Sequence, residues 1–312
     1  MLLSVVVKYA NKSFNLSMKE ETTMCQSPQN RPLIDKAITF YGAGSMAEAI
    51  VRGLVSRSVV LPENITMLNR SNAHRLQELS ERYGVQINND DAAKIEILKT
   101  SPVIVLAMKP KDAAKALKEL GPKLSSDQLI ISVIAGLSIY TTQTLLGNQQ
   151  PIARTMPNTS ASIGLGSTGI AFSKEISEEQ RQLVLTLFEA VGNVTVIEEE
   201  KMDILTGISG SGPAYFYYMM EAMTAAGIRG GLSPEQSREL TLQTILGAAR
   251  MVQQTGEQPS SLRAKITSPN GSTQAALETL DQGDFFETVI AAVNRCAERS
   301  KEMGAMLKEQ IS

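Results

Sequence analysis

Gly42-Ala43-Gly44-Ser45-Met46-Ala47 follows a short apolar run, Ala37 to Tyr41, and opens a helical stretch, Ser45 to Val55. A Gly-x-Gly-x-x-Ala turn between a strand and a helix is suited to the pyrophosphate of a dinucleotide. Gly42 permits the tight turn, Gly44 lets backbone amides approach the phosphates, and Ala47 lets the helix sit close to the strand. The helix N-terminus adds free N–H groups and a favourable dipole. Gly42, Gly44, Ser45 and Met46 are therefore candidate cofactor residues; the alternative is a purely structural glycine turn.

The next apolar run ends at Leu68-Asn69-Arg70-Ser71, where an NAD enzyme usually carries an acid for the ribose 2'-hydroxyl. That acid is missing. Arg70 offers a charged fork and Asn69 and Ser71 offer neutral hydrogen bonds, a set suited to the 2'-phosphate of NADPH, with NADH as the second choice. The plainer reading of Arg70 is a solvated loop residue. Val103 to Ala107 ends in Met108-Lys109-Pro110. In a parallel sheet that loop opens at the ligand-binding edge, so Ala107, Met108 and Lys109 are candidates to line the nucleotide, although Lys109 also fits an ordinary surface charge.

The remaining loops are neutral and built of small residues: Ala135-Gly136, Thr155-Met156-Pro157-Asn158-Thr159, and Ser209-Gly210-Ser211-Gly212-Pro213. None holds a strong acid or base. They allow a flat ring to lie close to the backbone, and they equally suit turns. Thr267 to Gln274 is a turn leading into a helix, where backbone amides and the Ser268 and Thr273 hydroxyls could cradle a carboxylate. On local pattern alone, simple N-capping explains it as well.

The elements that must position these loops divide the chain. Residues 1–36 are polar and without period, and read as a flexible leader. From 37 to about 200, short strands (Ala37 to Tyr41, Ile65 to Leu68, Val103 to Ala107, Leu129 to Ile134, Ile152 to Thr155, Gly169 to Phe172, Val194 to Ile197) alternate with helical stretches, which predicts an α/β Rossmann-type domain with a mostly parallel sheet. From 201 to 312 the helix period takes over. Pro213 to Gly227 carries one charge, Glu221, and reads as a helix buried on most of its circumference. Ser233-Pro234-Glu235-Gln236 is a helix start with a capping box. The last helix sets Phe285, Phe286, Val289, Ile290, Val293, Cys296, Ala297 and Met303 on one stripe. A short all-helical half has too few neighbours to bury such surfaces, so a homodimer or a larger dimer-based oligomer is expected.

Composition narrows the chemistry further. Lys plus Arg total 30 against 32 Asp plus Glu, and Trp is absent, which argues against nucleic acid and anionic membrane as partners. No stretch reads as a membrane span or signal peptide. The single histidine, His74, rules out His-rich metal clusters and lies on a polar, solvent-facing stretch. The two cysteines, Cys25 and Cys296, fit a reducing compartment, the cytoplasm, and neither has a sequence partner suggesting redox chemistry.

Taken in order, Gly42 to Ala47, Ala107-Met108-Lys109-Pro110, Arg154 to Thr159, Ser209-Gly210-Ser211-Gly212-Pro213-Ala214-Tyr215 and Leu262 to Thr273 resemble the motifs of the Δ1-pyrroline-5-carboxylate reductases, over about residues 37 to 308. The resemblance implies an all-helical C-terminal dimerisation domain, and a pyrroline-5-carboxylate site between cofactor and partner-supported helices. It implies that Ser268, Ser272 and Thr273 hold the substrate carboxylate and ring nitrogen, with Gly271 and Ser211 beside them and Asn158 on the cofactor side. Two residues depart from the family pattern: Asn270 stands where a second Gly is usual, and Ser160 where Pro is frequent. Asn tolerates left-handed backbone better than most residues. The implied mechanism is hydride transfer to an imine, aligned by Thr273 without acid-base machinery. Two alternatives compete: a β-hydroxyacid dehydrogenase, which would need a lysine that Ser209 to Pro213 lacks, and a nucleotide-binding regulatory paralogue without turnover.

Overall fold

A computed structural model describes residues 34–309. Most of the expected leader, and Cys25 with it, lies outside them. The chain joins the fold slightly before Ala37, because Ile34 is buried and bridges Val60 in parallel.

The N-terminal half is one eight-stranded sheet. Its strands are β1 (Ile38–Tyr41), β2 (Ile65–Leu68), β3 (Gln86–Asn88), β4 (Val103–Leu106), β5 (Leu129–Ser132), β6 (Ile152–Met156), β7 (Gly166–Phe172) and β8 (Gly192–Val196), in the order β3-β2-β1-β4-β5-β6-β7-β8. β1 to β6 are parallel; β7 turns back against β6, and β8 runs parallel to β7. β1 sits between β2 and β4, with Ile38 opposite both Ile65 and Val103. The strand order therefore reverses beside β1, and a crevice opens at the carboxyl ends of β1 and β4. The sheet has one strand that the sequence pattern did not reveal, β3, and β7 begins three residues ahead of Gly169.

Helices cover both faces: α1 (Ser45–Ser56), α2 (Ala73–Tyr83), α3 (Asp91–Thr100), α4 (Pro110–Leu120), α5 (Ile139–Leu146) and α6 (Glu178–Glu189). Alternation along β4 separates the two cores. Val103 and Val105 join Ile50, Leu54, Leu79 and Phe188 on one side, whereas Ile104 and Leu106 join Leu117, Leu145 and Met202 on the other.

Beyond β8 the chain is helical: α7 (Met202–Leu205), a widened π-type turn (Thr206–Gly210), α8 (Gly212–Arg229), α9 (Pro234–Thr255), α10 (Pro259–Lys265), α11 (Ser272–Gln282) and α12 (Phe285–Glu309). The capping box of α9 forms: Ser233 Oγ accepts from Gln236 N at 3.1 Å, and Gln236 Oε1 accepts from Ser233 N at 3.0 Å. The helices are anchored to the sheet by buried Arg154 on β6. Its Nη1 donates to Glu199 at 3.0 Å, and its Nη2 lies 3.9 Å from Asp203, which also accepts from Ser300 of α12 at 2.6 Å. No helix of the described residues is long and apolar enough to cross a membrane.

α8 shows the surface for which a partner was expected. Within a single chain it is not buried: Phe216 is 58% and Tyr218 77% exposed, as are several apolar residues of α9 and α12, among them Leu242 and Phe286. The strand half takes its own helices as cover, whereas α8 packs on α9 and on the π-type turn and leaves the rest of its apolar face uncovered within one chain.

Candidate active site

The turn after β1 is shaped by close backbone contact. Gly42 has φ of 130°, and a Cβ there would lie 2.3 Å from the Ala107 carbonyl oxygen, so only glycine fits. The ladders on either side continue up to this point, with Gly42 N donating to Leu68 O and Ala107 N to Tyr41 O, both at 3.0 Å. Gly44 occupies the N-cap of α1 without a side-chain cap, and a Cβ there would meet no heavy atom within 4 Å. The first helical bond is Glu48 N to Gly44 O, at 3.0 Å. The amides of Ser45, Met46 and Ala47 thus face an open cradle with no acceptor among the described residues, which fits a pyrophosphate.

In the loop after β2, Asn69 Oδ1 accepts from the amides of Ser71 and Asn72, each at 3.2 Å, and fixes the turn. Asn72 then caps α2 through Arg75 N at 2.9 Å. Arg70 is not simply solvated: its Nη1 donates to Asp112 Oδ1 at 2.8 Å. His74 is exposed and faces Glu78.

Sequence reasoning missed a second support. Glu48 on α1 accepts from Arg75, from Arg82 at 2.8 Å and from the Tyr83 hydroxyl at 2.9 Å, while Arg75 Nε donates to Ala43 O at 3.4 Å. This network ties α2 to the glycine turn. Burial works against the Glu48 charge, but hydrogen bonds from Arg75 and Tyr83 and the two guanidinium charges outweigh it, holding the carboxyl below its ordinary pKa.

Ala107 and Met108 are half-buried at the end of β4, and Lys109 is the exposed N-cap of α4. Asn158 is buried with its side chain taken up inside the protein: Nδ2 donates to Ser209 O at 3.0 Å, and Oδ1 accepts from Ser167 N at 3.3 Å. It therefore positions the π-type turn that carries Ser211. Ser211 N donates to Thr206 O at 2.9 Å, and Ser211 Oγ accepts from Cys296 Sγ at 3.1 Å. Cys296 thus has a polar neighbour in space. Tyr215 stands beside it; burial raises the pKa of its hydroxyl, and Cys296 adds to the rise.

The loop before α11 turns tightly. Asn270 adopts φ of 61° and donates its amide to Gln274 Oε1 at 2.8 Å, and Gly271 N donates to Ser268 O at 3.0 Å. A Cβ on Gly271 would fall 2.4 Å from Ser268 Oγ. Gly271 is the N-cap and no side chain caps this helix, so the simple-capping explanation is not realised. The hydroxyls of Ser268, Ser272 and Thr273 and the first-turn amides are left for another partner. None of these residues shares a hydrogen bond with the glycine turn or with residues 107–109. A single chain builds both cradles but does not bond one to the other.

Comparison with known proteins adds the decisive observation. Residues 199–303 match the family model described as pyrroline-5-carboxylate reductase dimerisation, and residues 37–136 match one described as NADP oxidoreductase coenzyme F420-dependent. The chain is 45% identical to pyrroline-5-carboxylate reductase 1 of Bacillus spizizenii, over 87% of this chain and 91% of that protein. The chain belongs to the pyrroline-5-carboxylate reductase family. Solved structures of such reductases share its fold. One is the Plasmodium falciparum enzyme with NADP bound (TM-score 0.80, 32% identity, 88% of this chain and 100% of that one). Another is from Coxiella burnetii (TM-score 0.78, 35% identity, 86% of this chain and 99% of that one). The Rossmann-type half and the helical half of the reductase thus agree with the architecture expected from the sequence. As an oxidoreductase it takes a nicotinamide cofactor of the NAD(P)H class.

Proposed function

We propose that this chain reduces Δ1-pyrroline-5-carboxylate to L-proline, the last step of proline biosynthesis, with NADPH as the preferred reductant and NADH as an accepted one. The observation that carries this is the uncapped loop Ser268 to Thr273, a neutral cradle of hydroxyls and free amides in a chain that also builds a pyrophosphate turn. Residues 37–200 serve as the cofactor domain and 201–312 as the dimerisation and substrate domain. The working form is a homodimer or a dimer-based oligomer, in the cytoplasm.

When bound, the nicotinamide supplies a hydride. The protein's task is alignment. Gly42, Gly44, Ser45 and Met46 hold the pyrophosphate; Asn69, Arg70 and Ser71 hold the adenosine ribose and its 2'-phosphate; Ala107, Met108 and Lys109 line the nucleotide. Asn158 contributes by fixing the loop that carries Ser211. Ser268, Gly271 and the amides of Ser272 and Thr273 take the substrate carboxylate. The Thr273 hydroxyl bonds the ring nitrogen, whose protonated form makes the adjacent carbon a good hydride acceptor. Orientation of this kind is worth several kcal/mol of barrier without any acid or base.

The test is turnover and cofactor binding in Thr273→Ala. We expect kcat to fall roughly 10- to 100-fold, the range of a lost positioning hydrogen bond, with NADPH Kd changed by less than about twofold. Unchanged kcat would remove Thr273 from the reacting centre.

A further inference from the structure

Arg70 is the residue assigned to the 2'-phosphate, yet the structure gives its guanidinium another partner. Arg70 Nη1 and Asp112 Oδ1 are 2.8 Å apart. The two side chains come from different elements, Arg70 from the loop after β2 and Asp112 from the first turn of α4. In the strand order β2-β1-β4, their contact reaches across the carboxyl end of β1, the edge where a dinucleotide lies.

The two partners are held very differently. The Arg70 side chain is 78% exposed, that of Asp112 only 31%. Asp112 also sits where the N-terminal dipole of α4 favours a carboxylate, so it keeps a stabilising neighbour when Arg70 leaves. An exposed ion pair contributes little and breaks easily, whereas a phosphate offers a guanidinium two parallel charge-assisted bonds. Arg70 is therefore free to change partner. Asp112 remains a carboxylate at the spot the guanidinium has left.

We propose that Asp112 is a specificity-determining residue for the reduced cofactor: it competes with the 2'-phosphate for Arg70 and so restrains the preference for NADPH over NADH. NADH, which has no 2'-phosphate, leaves the Arg70–Asp112 pair intact; NADPH must break it. This rests on the assignment of NAD(P)H to the glycine turn.

The experiment measures Kd for NADPH and for NADH separately, by the fluorescence of the bound reduced nicotinamide. It uses the full chain as wild type, Asp112→Asn, Arg70→Ala and the double variant. Asp112→Asn is expected to tighten NADPH about three- to fivefold, the upper size of a released surface pair, and to leave NADH within about twofold. In the Arg70→Ala background, the same change should move NADPH Kd by less than about twofold, because the competition has lost its object. Equal NADPH Kd in wild type and Asp112→Asn overturns the proposal. So does a gain that persists undiminished without Arg70, since Asp112 would then act as a bare charge. Failure of wild type to bind either cofactor overturns the cofactor assignment, and the role of Asp112 with it.

Discussion

The two halves of the molecule differ in how far one chain completes them. In the strand half every β4 residue is buried, and apolar side chains on both faces of the sheet meet a covering helix. Its glycine turn is fixed by backbone contacts and by the Glu48 network. In the helical half, α8 exposes Phe216, Tyr217 and Tyr218 on a helix whose only buried residue is Gly212. Large contiguous exposed apolar faces mark association surfaces. The glycine turn is thus preorganised within one subunit, whereas the helical half leaves an apolar face that one chain does not cover.

The sharpest way to break this contrast is to put charge on the uncovered face. Phe216→Asp combined with Leu246→Asp should separate the subunits, since burying an unpaired carboxylate costs roughly 3–5 kcal/mol. We expect light scattering to give the single-chain mass and turnover to fall by roughly a hundredfold or more, while NADPH Kd stays within about twofold. A monomer with full turnover would show that one chain suffices and would dissolve the contrast.

The reciprocal change attacks the cofactor end. Gly42→Ala places a Cβ 2.3 Å from the Ala107 oxygen at a φ of 130°. The turn must open, and NADPH Kd should weaken by about tenfold or more, given a strain of roughly 1–2 kcal/mol before the clash is added. Light scattering should still give the oligomer. If NADPH binding were untouched, the glycine turn would not be the cofactor site.

The same contrast explains what the sequence made legible. Gly42, Gly44 and the apolar runs that became β1, β2, β4, β5 and β6 could be read because a buried parallel strand leaves a local trace, a continuous apolar run, and the turn needs glycine at fixed spacing. β3 could not: two of its three residues, Gln86 and Asn88, are polar, and only pairing with β2 makes them a strand. β7 starts at Gly166 because Gly166 and Ser167 pair with β8, not because their side chains favour a strand. The loop Ser268 to Thr273 reads in sequence as a turn into a helix start, and only in three dimensions is it visible that the N-cap, Gly271, makes no side-chain cap. The motif places Asn158 on the cofactor side, whereas its side chain bonds Ser209 and Ser167, the first of them 51 positions away. Arg70 with Asp112, Arg75 with Glu48 and Cys296 with Ser211 lie 42, 27 and 85 positions apart, and no local pattern announces such pairs. The α8 reading rests on composition alone: an apolar helix with too few neighbours in its own half calls for cover from a second copy, and the exposed Phe216, Tyr217 and Tyr218 agree with that.

The smallest effect sharpens the comparison from the side of pH. Glu48 is charged in a site that holds its carboxyl below the ordinary value of 4.5. For a depressed acid, the stabilisation is fully present above the unfolded-state pKa and is lost as pH falls through the lower folded-state value. Arg75 and Arg82 remain charged throughout. Glu48→Gln keeps the shape and removes the charge, so at pH 7 it should cost about 1 kcal/mol, seen as a fall of roughly 2–4 °C in Tm. The difference from wild type should begin to shrink below about pH 4.5 and go on falling as pH drops towards the lower folded-state value. Because Glu48 holds α2 to the glycine turn, the loss should be accompanied by weaker NADPH binding at pH 7, with the oligomer unchanged. A Tm difference that stayed constant from pH 7 to pH 3 would mean that Glu48 acts through packing rather than charge. The network would then brace the turn without tuning it.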